Sequence, residues 1–241
     1  MMNRLLYLMV FFMICLPVWG QITSAAPPVQ EENAVNKDLP KLDLTKIDSA
    51  TIATRFAKIQ NQIPLVYNVH THQFVEYFAI KKADFTRRML ERRDVYFPLY
   101  EKYLKQYNLP EELKYLSLIE SGLETKAVSN KGAGGLWQFM PYTGKLMGMR
   151  IGYPCDDRKS IVASTQKACE YFANSQSIFN NWLMSIASYN CGPGNVQKAI
   201  RRSGGKTNFW EVLPYLPKET QNYVPKFIAV AYVLNFTEKG K

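Results

Sequence analysis

Residues 116–140 read LSLIESGLETKAVSNKGAGGLWQFM, and the stretch begins as a helix and ends as a glycine-rich loop. Pro110-Glu111-Glu112 opens the helix, with proline in the first turn and two acids at the positive end of the dipole. Leu113, Leu116 and Glu120 then recur at spacings of three and four, so they share one stripe. That stripe is apolar and predicts burial, which brings Glu120 out at the end of a buried face. Partial desolvation disfavours the charged carboxylate and raises its pKa. A glutamate kept protonated near neutral pH suits a general acid that protonates a glycosidic oxygen. On helix geometry alone, an ordinary glutamate paired with a lysine such as Lys126 explains the position at least as well.

The loop that follows adds chemistry. Gly132, Gly134 and Gly135 would let backbone approach a ligand closely. Trp137 and Met140 offer apolar surface, and Gln138 offers both a donor and an acceptor. A sugar has an apolar face and a polar rim, so this mixture predicts a saccharide groove.

Working outward, the helical period starts near Thr45, where Ile47, Ile52, Phe56 and Ile59 share a side. Two further short helices are expected through Phe78 and Leu90. Ser160 or Ser164 starts a long helix through Phe172, and Asn181 starts another that Gly192 caps. Pro193-Gly194-Asn195 restarts a helix to Arg202, and Pro217 opens the last one. No stretch shows sustained strand-like alternation. The predicted fold class is all-α.

The chain has 241 residues, 47% of them hydrophobic, enough for one sizeable core. Its net charge of +10 favours anionic partners. Arg87, Arg88, Arg92 and Arg93 read as a solvated helix face. The first twenty residues carry Arg4, an apolar run from Leu5 to Leu16, then Pro17 and Gly20. That pattern predicts a secretory signal, since the run is too short to span a bilayer. Cys15 would leave with it, so Cys155, Cys169 and Cys191 allow at most one bridge. Residues 21–44 are polar and proline-containing and predict a flexible tether. His70 and His72 read as structural or surface groups, and no spacing suggests a metal or cofactor. Export and the lack of a nucleic-acid-binding motif exclude nucleic acid as a partner.

Several motifs together resemble the family 1 lytic transglycosylases. They are Glu120-Ser121, Ser129, Gly132-Ala133, GLWQ at 135–138, Met140-Pro141-x-Thr143-Gly144, SYNCGPGNV at 188–196 and ETQNYVPK at 219–226. The upstream IPLVYN and RRMLERRDVYFPLYEKYL segments are similar to the membrane-bound D type of that family. The resemblance implies a goose-type lysozyme-like fold over residues 95–237, with a helical N-terminal extension at 45–94. It implies non-hydrolytic cleavage of peptidoglycan between N-acetylmuramic acid and N-acetylglucosamine, leaving 1,6-anhydro ends. Glu120 matches the acid/base. Ser129, Gln138 and Met140 match the muramyl subsite, Tyr189 and Asn190 the cleavage point, and Glu219 a deeper glutamate. Tyr223 is expected to reach the groove, whereas Trp182, Phe209, Trp210 and Tyr232 are expected in the core. Asp156 and Asp157 are expected to cap a loop. Trp137 stands where many relatives have methionine and is expected to alter groove shape. The expected partners are glycan strands, for a monomer in the periplasm or cell envelope, with peripheral membrane or wall association open. A hydrolytic muramidase and a non-catalytic wall-binding protein are the alternatives.

Overall fold

A computed structural model describes residues 48–237. The expected signal and tether lie outside the described residues, as does Ile47. Ten α-helices account for most of the described chain, and its only extended pairings are isolated bridges such as Val128 with Gly134 and Gly134 with Phe139. The all-α prediction holds.

Helix α10 (Lys218–Phe236) is central among the described helices. Val224, Pro225 and every residue from Phe227 to Leu234 are buried, so the helix is enclosed on all sides rather than along one stripe. Around it pack α1 (Ser49–Ile59), α2 (Val69–Glu76), α4 (Leu116–Ser121) and α7 (Trp182–Cys191). α6 (Ile161–Phe179) lies against α7 and against α3 (Ala83–Gln106). The short α5 (Pro141–Leu146), α8 (Pro193–Arg202) and α9 (Phe209–Val212) complete the set.

Local chemistry sets most boundaries. Asp48 caps α1 by accepting from the Thr51 amide at 2.8 Å. Asn68 and Thr71 form a reciprocal capping box on α2. Ser160 caps α6 and Asn181 caps α7, and Gly192 closes α7 at φ 84°. Of the two serines considered for α6, Ser160 is the cap and Ser164 is buried inside the helix.

Two expectations change. In place of two short helices through Phe78 and Leu90 stands α2, a π-turn (Tyr77–Lys81), and the 24-residue α3. Helix α3 runs unbroken across residues 94 and 95, so the N-terminal extension and the segment after it share an element. The arginine cluster is also more than a solvated face. Arg92 donates to the Gly122 carbonyl at 3.1 Å and pairs with Glu124, and Arg93 donates to the Leu234 carbonyl at 3.4 Å. These contacts tie α3 to the end of α4 and to α10.

The turn after α1 is fixed from a distance. Glu112, 4% exposed, turns one carboxylate oxygen to the amides of Asn61, Gln62 and Ile63 at 2.9, 2.9 and 3.2 Å. It therefore does more than face a helix dipole: it joins the early helices to the segment that carries Glu120. Cys155, Cys169 and Cys191 are free thiols, with Cys169 buried and pushed up to about 12 by that burial. Among the described residues no helix is long and apolar enough to cross a membrane.

Candidate active site

A 3₁₀ turn (Glu111–Tyr115) runs straight into α4, and Leu113, Leu116 and Leu118 are fully buried. Their burial fixes the helix, and Glu120, one residue before its end, remains partly exposed toward a cavity. Gly122 then stops α4 in the left-handed region at φ 60°. A side chain there would meet the Phe85 ring at 2.8 Å. Ser121 donates to the Leu136 carbonyl at 2.9 Å, pinning the helix end to the far side of the loop.

The cavity measures about 550 Å³. Glu120, Ser129, Gln138, Met140, Tyr189, Asn190 and Glu219 all line it, joined by Asn130, Lys131 and Ala133. Glu120 is pushed up to about 7, chiefly by burial. The Tyr223 hydroxyl, which donates a very short hydrogen bond to it, opposes that shift, while the charge of Glu219 adds to it. Tyr223 itself is buried on α10 and meets the cavity through Glu120 rather than as one of its lining residues.

Tyr189 closes one wall. Its ring stacks on Phe172 at 4.9 Å and meets Tyr171 and Phe139 edge-on. Its hydroxyl donates to the Trp137 carbonyl at 2.7 Å, and burial together with nearby Glu120 holds the phenol well above its ordinary range. Neutral and committed to the backbone, it acts as a fixed surface. Asn190 accepts from the Thr220 hydroxyl at 2.7 Å, which orients its amide from α10.

The glycine loop works differently from the expectation that its glycines approach a ligand. The side chain of Arg158 is buried beneath it, gripping Asp156 through two N–H groups at 2.9 and 2.8 Å. It also donates to the carbonyls of Gly132 and Phe139 at 2.7 and 3.3 Å. A Cβ on Gly135 would sit 1.7 Å from the Arg158 carbonyl oxygen, and one on Gly134 would touch the guanidinium at 3.0 Å. These glycines make room for Arg158. Ser129 accepts from the Ala133 amide at 3.0 Å, and Gln138, at φ 47°, donates to the Gly135 carbonyl at 2.8 Å. Both side chains thus brace the loop while their surfaces face the cavity.

Trp137 is likewise a correction. It is fully buried, donates to Thr165 at 3.0 Å and packs on Tyr100, so it shapes the core beneath the loop and offers nothing to a groove. Met140, 40% exposed, keeps its place in the lining. Phe209 and Tyr232 are core residues, while Trp182 and Trp210 are half-buried, Trp210 stacking on the exposed His70. His72 bonds Tyr67 and lies 3.3 Å from Glu76. Asp156 caps the short 3₁₀ turn at 157–159 as expected and holds Arg158, whereas Asp157 accepts from the amide and guanidinium of Arg150 instead of capping. Arg158 and Lys131 were not singled out from sequence. Arg158 carries no local signal, but Lys131 sits between Ser129 and Gly132 in a loop already read as a groove. Among the described residues no group of three or more His, Cys, Asp or Glu is gathered for a metal.

Fold and site define an all-α, lysozyme-like protein whose cleft holds one poorly solvated glutamate. Residues 98–211 match the family model described as the Transglycosylase SLT domain. Over 140 residues the chain is 38% identical to membrane-bound lytic murein transglycosylase D of Escherichia coli (strain K12), covering 56% of this chain and 30% of that protein. It is 29% identical over 165 residues to the soluble lytic murein transglycosylase of the same strain, covering 61% of this chain and 25% of that one. The solved 70 kDa soluble lytic transglycosylase of Escherichia coli shares the fold at TM-score 0.52 and 23% identity, over 79% of this chain and 31% of its own. The chain therefore spans less than a third of the length of these relatives.

Proposed function

We propose that this chain is a lytic transglycosylase that cleaves peptidoglycan between N-acetylmuramic acid and N-acetylglucosamine, with Glu120 as the acid and then the base. The observation that carries this reading is the state of Glu120, a carboxyl held near pKa 7 at the wall of a cavity large enough for sugars. A group poised near neutral pH both gives and takes a proton efficiently. Glu120 protonates the glycosidic oxygen as its bond to muramyl C1 breaks through an oxocarbenium-like state. The muramyl C6 hydroxyl then attacks C1 and returns its proton to the Glu120 carboxylate. The acid is regenerated, no water is consumed, and the strand ends in a 1,6-anhydro ring.

The remaining residues take supporting roles in this reading. Ser129, Gln138 and Met140 form the muramyl subsite on the loop, and Tyr189 and Asn190 bound the cleavage point. Tyr223 steadies the Glu120 carboxylate, and Glu219 raises its pKa from the rim. Residues 1–20 serve as a secretory signal and 21–44 as a tether. Residues 45–94 form a helical extension to the catalytic segment at 95–237, giving a periplasmic or envelope enzyme acting on glycan strands.

A second reading has one observation in its favour. Glu219 also lines the cavity, and a second carboxylate is what a water-using muramidase needs. Mass spectrometry of the muropeptides released from purified wall distinguishes the two. Anhydro-ended products, lighter by one water, are expected; reducing-ended products would replace transglycosylation with hydrolysis. Run beside the wild type, Glu120→Gln should release products about 10³-fold more slowly. Undiminished release would remove Glu120 from the chemistry.

A further inference from the structure

Lys131 and Glu219 meet at the cavity lining, Lys131 from the glycine loop and Glu219 from the first turn of α10. Nζ and Oε2 lie 3.5 Å apart, and the side chains are 78% and 72% exposed. An exposed pair at that distance contributes little to stability and is easily exchanged for another partner. Lys131 is also the single cation among the described residues that line the cavity. An anion brought into the cavity on a ligand has that ammonium as its one cationic partner among those lining residues.

We infer that Lys131 is a specificity-determining residue that binds a carboxylate carried by the sugar chain, releasing Glu219 as it does so. The inference rests on the glycan reading above and names the part of the substrate that is recognised. A muramyl sugar carries a lactyl ether that ends in a carboxylate, or in a peptide that supplies others. Before the substrate arrives, Glu219 holds the ammonium, and a lysine left unpaired would swing into solvent at an entropic cost to binding. Once the substrate is bound, Glu219 repels any carboxylate that slides past Lys131 toward Glu120. The anion is thus kept at the rim, and the neutral ring is presented to the acid.

The test uses the full chain carrying Glu120→Gln, so that strands bind without being cut. Peptides are stripped from wall glycan enzymatically. One portion keeps its lactyl carboxylates and the other is converted to methylamides. The carboxylate strand should bind about fivefold more tightly at low salt, with the preference fading as salt rises. Adding Lys131→Met should abolish the preference, while Lys126→Met, an exposed lysine of the same loop outside the cavity, should keep it. Equal affinity for the two strands, or a preference that survives Lys131→Met, overturns the inference. The outcome is separable from the reaction assignment. A charge preference with reducing-ended products from the active chain would sink transglycosylation and leave Lys131 in its role. Anhydro products without a charge preference would do the reverse.

Discussion

Glu112 and Glu120 lie eight residues apart on one continuous helical segment, and the fold treats them in opposite ways. Glu112 is buried with three backbone amides aimed at one of its oxygens, all from a turn about fifty residues earlier in the chain. Glu120 receives a single phenol hydroxyl and otherwise faces a cavity, with the charge of Glu219 nearby. Glu112 is the more deeply buried of the two, and the number of fixed donors separates them further: three amides commit Glu112 to holding elements together, whereas Glu120 has one hydroxyl.

The contrast breaks most directly at Glu112. Glu112→Ala leaves the 61–63 amides without their acceptor and should cost about 3 kcal/mol, read from the midpoint of urea unfolding. An unchanged midpoint would show that the turn is held by something else. Glu120→Gln should act with the opposite sign, and only at higher pH. Glu120 ionises near 7 in the folded chain but near 4.5 when unfolded. The contribution of Glu120 to stability is therefore fully present below about pH 4.5 and is lost as pH rises through 7. Glutamine escapes that loss, so the variant should gain on the order of 2–3 kcal/mol relative to wild type between pH 4 and pH 8. A stability gap that stays constant across that range would mean that Glu120 titrates normally.

Smaller effects sharpen the picture at Glu120 itself. Tyr223→Phe removes the hydrogen bond that favours the carboxylate, so the alkaline limb of kcat/KM should move to higher pH. Glu219→Gln removes a repelling charge and should move the same limb to lower pH, by the smaller margin. Limbs that shift in the same direction in both variants would contradict the electrostatics assigned to the pair.

Features encoded locally were legible in the sequence. Asn181, Ser160, Gly192 and Pro217 act on their own helices, and each bounds a helix in the structure. The stripe through Leu113 and Leu116 gave the location of Glu120, and the family resemblance gathered Ser129, Gln138, Met140, Tyr189, Asn190 and Glu219, which do converge on one cavity. Long-range partners were not legible. Nothing in GAGG announces a guanidinium from a segment some 25 residues later. A Trp in a glycine loop reads as a sugar platform until Thr165 and Tyr100 are seen beneath it. The 24-residue α3 reads as shorter pieces because its exposed charges blur the period, while its buried stripe, Met89, Leu90, Tyr96, Phe97, Tyr100 and Leu104, shows only against the partner helices.

The Arg158 anchor divides the loop into positions that are structurally constrained and positions that are free. Gly134, Gly135 and Trp137 have no room for alternatives, because Gly134 abuts the Arg158 guanidinium, Gly135 the Arg158 backbone carbonyl, and Trp137 the core. Asn130, Lys131 and Met140 flank them on either side, exposed and lining the cavity. A library that randomises those three alone would leave the scaffold of the loop intact while changing what the cleft selects. Positions that hold the loop are thus distinct from positions that line the cavity, and the latter can be varied without first rebuilding the protein.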